Sequence, residues 1–154
     1  MARVSCSWYL LSLLMLALDY FKHCNDTHGP PAGDRRLVAL SRILLQEIRE
    51  ADLIIRYGGE EFLVMMPDTR GDVADKTADR IRSMVEASSF PVPNGGPARI
   101  TISIRSATSS DGSERPDILI VRADTALYLA QAPGRNRVER WRPAQSPRRV
   151  APDA

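Results

Sequence analysis

The stretch Arg56-Tyr57-Gly58-Gly59-Glu60-Glu61-Phe62 carries the residue types best suited to chemistry. Gly58 and Gly59 leave no side chain above their turn, so a large ligand can approach the backbone. Two acids, Glu60 and Glu61, follow at once. Successive side chains on a strand face opposite ways, so only one of the two easily points at such a ligand. The plain alternative is a Gly-Gly hairpin with two solvated acids. Asn25 and Asp34 are further candidates, although Asn25 suits an ordinary turn and Asp34 suits the first turn of a helix. Arg49-Glu50-Ala51-Asp52 is an Arg-x-x-Asp just ahead of the glycines, a spacing that surface helix pairs also use. Cys6 and Cys24 follow no metal spacing and imply no disulfide framework, so they read as free buried thiols.

The elements that must position these residues follow from hydrophobic period. Residues 10–18 form a continuous apolar run, read as a first buried strand. A secretory signal core is the competing reading, but no A-x-A cleavage pattern follows. The run is too short for a membrane span. Residues 21–27 form a short turn or helix, and Gly29-Pro30-Pro31 breaks the chain. A helix starting at Ala32 places Leu37, Leu40, Leu44 and Ile48 on one face. Strands over 52–57 and 60–66 enclose Gly58-Gly59 as a two-residue primed turn. A helix over 72–87 carries Ala74, Ala78, Ile81 and Val85. Residues 91–97 are loop, 99–104 a strand, 109–113 loop, 116–132 a helix and 137–141 a last edge strand. Residues 143–154 are basic, Pro-rich and expected to be disordered. The first six elements give a split β-α-β order, as in ferredoxin-like folds, which host many functions.

In this context the chain resembles the GGDEF family, in its GGEEF form, over residues 10–138. Besides the glycine-acid stretch, the segments Asp19-Tyr20-Phe21-Lys22-His23-Cys24-Asn25-Asp26-Thr27-His28-Gly29, Ala32-Gly33-Asp34, Ala123-Asp124-Thr125-Ala126-Leu127-Tyr128 and Gly134-Arg135-Asn136-Arg137-Val138 match family motifs in order. The resemblance implies an α+β nucleotidyl-cyclase palm, a mostly antiparallel five-stranded sheet flanked by helices, at residues 10–142. Residues 1–9 are read as a segment outside the family. The implied activity is a diguanylate cyclase, which joins two GTP molecules into cyclic di-GMP and releases pyrophosphate, with Mg2+ or Mn2+ assisting.

The same resemblance implies roles. Glu60 matches the acid that binds metal and is proposed as the base, Glu61 the second motif acid, and the Leu18 backbone carbonyl a metal ligand. Asn25 and Asp34 match the pair that reads guanine. Phe21 and Lys22 match the turn under the phosphates, Gly58 and Gly59 the glycines over them, and Arg135 the phosphate-binding arginine. Arg49 and Asp52 match an inhibitory site for cyclic di-GMP, where arginine can meet guanine O6 and N7.

Three positions and one missing segment depart from the family pattern. Ala17 stands where a metal-binding aspartate is usual. Gln131 replaces a lysine and Arg105 a glycine, and the family's opening segment is absent. The competing readings are therefore an impaired cyclase, an inactive module that binds cyclic di-GMP or GTP, and a truncated product. GTP, cyclic di-GMP and a homodimer or GGDEF-domain partner are the expected partners. At 154 residues, 44% apolar, 26% charged and with net charge +2, the chain is one ordinary globular domain with no charge case for nucleic-acid binding. It is expected in the cytoplasm, or at a membrane should the apolar run not be a strand.

Overall fold

The computed structural model describes residues 10–92, 95–109, 116–131 and 135–141. The segment at 1–9 and the basic tail at 143–154 lie outside the described residues. The order is β1 (Leu11–Leu18), α1 (Phe21–His28), α2 (Pro30–Glu47), β2 (Leu53–Arg56), β3 (Glu61–Pro67), α3 (Gly71–Ala87), β4 (Ser89–Val92), β5 (Gly95–Arg99), β6 (Ile102–Ser109), α4 (Pro116–Gln131) and β7 (Val138–Arg140). Five strands form one sheet in the order β2-β3-β1-β6-β7, and β4-β5 form a separate ribbon. Every pairing in the main sheet is antiparallel except the parallel β6–β7 pair. This is the expected α+β architecture.

The apolar run of β1 is explained by burial on both faces. Leu14, Leu16 and Leu18 point into a core with α2 and α3, which contribute Leu37, Leu40, Leu44, Ala74, Ala78, Ile81 and Val85. Leu11, Leu13, Met15 and Ala17 point the other way, toward Leu119 and Ala123 of α4. The alternation is the period-2 geometry of a strand sandwiched between two helix layers.

Four local expectations need correction. First, the Gly58-Gly59 turn is not primed. Neither glycine lies in the left-handed region, and four residues, 57–60, separate β2 from β3. The last register pair is Arg56–Phe62. The loop is closed instead by Tyr57 N and Gly58 N, which donate to the Glu61 carbonyl at 2.9 and 3.2 Å. Second, residues 91–97 are not all loop, because β4 and β5 pair there. An isolated ribbon consists of edges, where proline is tolerated.

Third, the strand expected over 99–104 begins at Ile102 and runs to Ser109. Its polar residues hid it, since Ser103 and Ser106 are buried and each donates to a buried or half-buried aspartate. Arg105 is buried as well, with Glu139 at 3.7 Å, and desolvation lowers its pKa from the usual guanidinium value. Fourth, Pro30 and Pro31 open α2 rather than precede it, as proline's fixed φ and missing N–H allow in a first turn. The break between α1 and α2 is Gly29, at φ 84°. α2 ends at Glu47, so Ile48 is its cap rather than part of its stripe, although it still packs on the core.

Candidate functional site

The glycine-acid loop, the end of β1 and the start of α1 meet at one end of the sheet. Ala17 pairs with Glu61 across β1 and β3, and Leu18 N approaches the Glu60 carbonyl at 3.4 Å. A methyl group added at Gly59 would meet no atom within 4 Å. Gly59 thus leaves open space beside the two acids, while a Cβ at Gly58 would touch Glu61 Oε2 at 3.4 Å; the backbone of neither demands glycine. Arg56 holds the loop from below, donating to the Gly58 and Gly59 carbonyls at 3.4 and 2.8 Å. The sequence reading gave Arg56 no role of its own.

Glu61 is half-buried. Its pKa is raised from the ordinary carboxylate value, first by desolvation, then by the negative charges of Asp124 and Glu60. Ala17, on the same face and directly opposite Glu61, supplies no oxygen. It is buried among apolar residues beneath Ala123. Among the described residues no three His, Cys, Asp or Glu side chains group as a metal cage. Glu60, Glu61 and the Leu18 carbonyl are hard oxygen donors. That set suits magnesium, which takes one or two carboxylates and fills its other positions with substrate phosphates and water.

Asp19 lies just beyond β1 and is nearly fully buried. Its Oδ1 accepts from Ser103 Oγ at 2.6 Å, and its Oδ2 accepts from Thr101 Oγ1 at 2.7 Å and Asn136 N at 2.8 Å. Both oxygens are therefore engaged, so Asp19 cannot stand in for the carboxylate missing at Ala17. It is a positioning residue that ties together the end of β1, the start of β6 and the turn after α4. The signal in the sequence was an acid at a strand end and two hydroxyl residues, Thr101 and Ser103, at strand spacing.

From that anchor the chain turns sharply. Tyr20 adopts φ 57° and caps α1, placing Phe21 and Lys22 in its first turn. The first N–H groups of a helix have no intrahelical acceptor and suit anions. Arg135 lies over the Tyr20 ring at 4.1 Å, so the phosphate-binding candidate is held beside this turn. Asn136, at φ 58°, is braced by Arg82, whose Nη1 donates to its Oδ1 at 3.2 Å. Gln131 ends α4, and Gly134 lies outside the described residues.

Asn25 and Asp34 face a different part of the site, between α1 and α2. A Cβ built on Gly33 would fall 1.9 Å from Asn25 Oδ1, so the Asn25 amide keeps its place against α2 only because residue 33 is glycine. Asn25 Oδ1 is buried and, among the described residues, has no hydrogen-bond partner. Asp34 is exposed, but α2 starts at Pro30 and has no acid in its first turn, so Asp34 is not the first-turn charge that a helix starting at Ala32 would make it.

Arg49 and Asp52 are not part of this constellation. They lie beside Pro67 and Thr69, at the end of β3 that pairs with Leu11, the start of β1. That is about 20 Å from Leu18, by the rise per residue over β1. The Asp52 side chain is fully buried, while that of Arg49 is 53% exposed. Asp52 accepts from Arg49 N at 2.9 Å and from its guanidinium at 3.0 and 3.4 Å. Arg49 also donates to the Pro67 carbonyl and to Thr69 Oγ1. Its pKa is raised, chiefly by the hydrogen bond to Asp52.

With this geometry the comparisons with known proteins agree. The family described as "Diguanylate cyclase, GGDEF domain" matches residues 2–137. The response regulator PleD of Caulobacter vibrioides is 45% identical over 130 residues, which cover 83% of this chain but 28% of PleD. The active GGEEF domain of a Vibrio cholerae diguanylate cyclase superposes with TM-score 0.80 at 28% identity, covering 86% of this chain and 83% of that one. The GGDEF domain of DgcB from Caulobacter crescentus, solved with c-di-GMP, gives TM-score 0.79 at 30% identity, covering 85% and 77%. The chain belongs to the GGDEF-domain diguanylate cyclase family. Among the described residues no helix is long and apolar enough to cross a membrane.

Proposed function

We infer that this chain is a diguanylate cyclase domain that condenses two GTP molecules, one on each of two facing copies, and that its turnover is held low by Ala17 and Gln131. The observation that carries the reading is the unpartnered, buried Oδ1 of Asn25 between α1 and α2. A buried acceptor without a donor costs about 1–3 kcal/mol. Guanine's exocyclic amine can supply that donor while Asp34 accepts from N1–H. Adenine presents no such pair.

Placement supports the inferred roles. Phe21 and Lys22, in the first turn of α1, receive the phosphates, and Arg135 clamps them from beside Tyr20. Gly58 and Gly59 leave the space the triphosphate occupies. In the reaction the 3′-oxygen of one GTP forms a bond to the α-phosphorus of the other. The bond from that phosphorus to the bridging oxygen of the β-phosphate breaks, and pyrophosphate leaves with its electron pair. Glu60 takes the hydroxyl proton. Glu60, Glu61 and the Leu18 carbonyl would hold the divalent ion, which, when bound, neutralises phosphate charge. The same event on the facing copy closes the ring.

Arg49 and Asp52 are inferred to bind the product. The half-exposed guanidinium of Arg49 meets guanine O6 and N7. Asp52 joins it only when their mutual pair opens.

Incubating the purified chain with GTP and Mg2+, and resolving the products by chromatography, tests the reading. A low yield of cyclic di-GMP and pyrophosphate is expected, with none from ATP and none from Glu60→Gln. Ala17→Asp should raise the yield, and adding Gln131→Lys should raise it further. A folded Ala17→Asp/Gln131→Lys variant that yields no cyclic di-GMP would overturn the assignment.

A further inference from the structure

Against α1 lies a cavity of about 350 Å³, which touches Tyr20, the ring under Arg135, but none of the residues assigned to GTP. His23 and His28 of α1, Arg36 of α2, Arg99 at the end of β5, and Asp19 line it. Phe21, Lys22, Asn25, Asp34, Glu60 and Arg135 do not. Arg36 is 8% exposed, on the face of α2 that also buries Ala32, Leu37 and Leu40. Its Nε is buried without a partner, and among the described residues no hydrogen bond or ion pair reaches its guanidinium.

A buried charge is normally paired, because removing it from water costs several kcal/mol. Asp19 is the acid of this cavity, but three donors already hold its two oxygens. Those donors are neutral, so Asp19 keeps its charge but has no oxygen turned to Arg36. The cavity thus sets one acid against two arginines and two imidazoles. A guanidinium offers a planar fork of donors that matches two oxygens of one phosphate. Four basic side chains offer more donors than the two oxygens of a carboxylate can use, and a phosphate has oxygens for all of them.

We propose that this cavity binds the phosphate group of a small molecule, with Arg36 as its buried anchor and Arg99 at its mouth. The site is separate from the one that holds GTP. Occupation neutralises the charge that α2 otherwise buries, so the ligand stabilises the fold by mass action.

The test is calorimetric titration of the whole chain with inorganic phosphate, and in parallel with pyrophosphate, at ionic strength held constant with KCl. Thermal unfolding is followed alongside. Saturable binding and a rise in Tm are expected, and KCl alone should reproduce neither. Arg36→Met should weaken the affinity at least about tenfold, the size of one charge-assisted hydrogen bond. Its Tm without phosphate should equal or exceed that of the wild type, because an unpaired buried charge is gone. Arg99→Ala, at an exposed position, should weaken binding without affecting the fold and serves should Arg36→Met not fold. Lys22→Ala and Arg135→Ala, which weaken the phosphate turn of the GTP site, should still leave a saturable anion site, and adding Arg36→Met to either should remove it. No saturable binding of either anion at millimolar concentration would overturn the proposal. So would binding lost in Arg135→Ala and kept in Arg36→Met or Arg99→Ala, which would place the anion at the GTP phosphate turn.

Discussion

Ala17 and Glu61 face each other on one side of the sheet, and opposite residues of an antiparallel pair have Cβ atoms about 4.5–5.5 Å apart. An aspartate at 17 would set two carboxylates side by side in a buried place. Without a cation Ala17→Asp should therefore lower stability by about 1–3 kcal/mol. Magnesium should return much of that loss. Urea unfolding with and without Mg2+ measures both, and a variant whose midpoint ignores Mg2+ would show that no ion lodges between these positions. Asp19 sets a second residue-scale expectation. Asp19→Ala leaves the Ser103 and Thr101 hydroxyls and the Asn136 N–H without their acceptor. A loss of about 2–4 kcal/mol follows, visible as a lower denaturant midpoint. A loss below 1 kcal/mol, at the low end for one hydrogen bond, would mean that these donors reach water instead.

At the scale of elements, the α1–α2 contact couples helix stability to ligand affinity in opposite directions. Gly33 is a helical residue, and alanine there would gain up to about 1 kcal/mol of helix propensity. The new methyl group must displace the Asn25 side chain, whose Oδ1 it would meet at 1.9 Å. Gly33→Ala should thus keep or raise Tm while weakening GTP binding about tenfold, the worth of one lost hydrogen bond. Unchanged GTP affinity would detach Asn25 from guanine. The Arg49–Asp52 clamp between the start of β2 and the end of β3 has its own asymmetry. Removing Arg49 strands a buried carboxylate, whereas removing Asp52 leaves a guanidinium that water can reach. Arg49→Ala should cost about 2–4 kcal/mol and Asp52→Ala about 1–2. Arg49→Lys keeps the charge and loses the planar fork. It should stay folded and lose cyclic di-GMP affinity tenfold or more, as equilibrium dialysis would show.

On the scale of the whole molecule, the acids and the Arg49–Asp52 clamp occupy opposite ends of β1 and β3, so a product bound at one need not exclude substrate from the other. The chain spans 28% of the length of PleD. One copy offers one proposed guanine site and one acid pair, while the inferred reaction joins two GTP molecules. Specific activity should then rise with protein concentration and level off once the facing pair is saturated, as a dilution series of initial rates measures. A specific activity independent of concentration down to nanomolar chain would mean that one copy suffices, or that the pair never separates.

Much of this was legible in the chain itself. The apolar run of β1, the stripes of α2 and α3, and the glycine-acid loop are local patterns, set by how side chains repeat along a strand or helix. They identified the family and the fold class before any contact was known. What local pattern could not carry was decided by residues distant in sequence. β6 went partly unread because its buried Ser103 and Ser106 are satisfied by Asp19 and Asp75, 84 and 31 positions away. The glycine loop has four residues because Arg56 and the Glu61 carbonyl close it, not because its glycines turn left-handed. Asp19 became an anchor through Asn136, 117 positions along the chain. Arg36 came to hold a buried Nε without a partner among the described residues, where α1 and α2 pack together. Sequence fixes which groups are present and how they repeat. Burial and hydrogen-bond partners depend on which distant segments fold together, and only the tertiary structure assigns them.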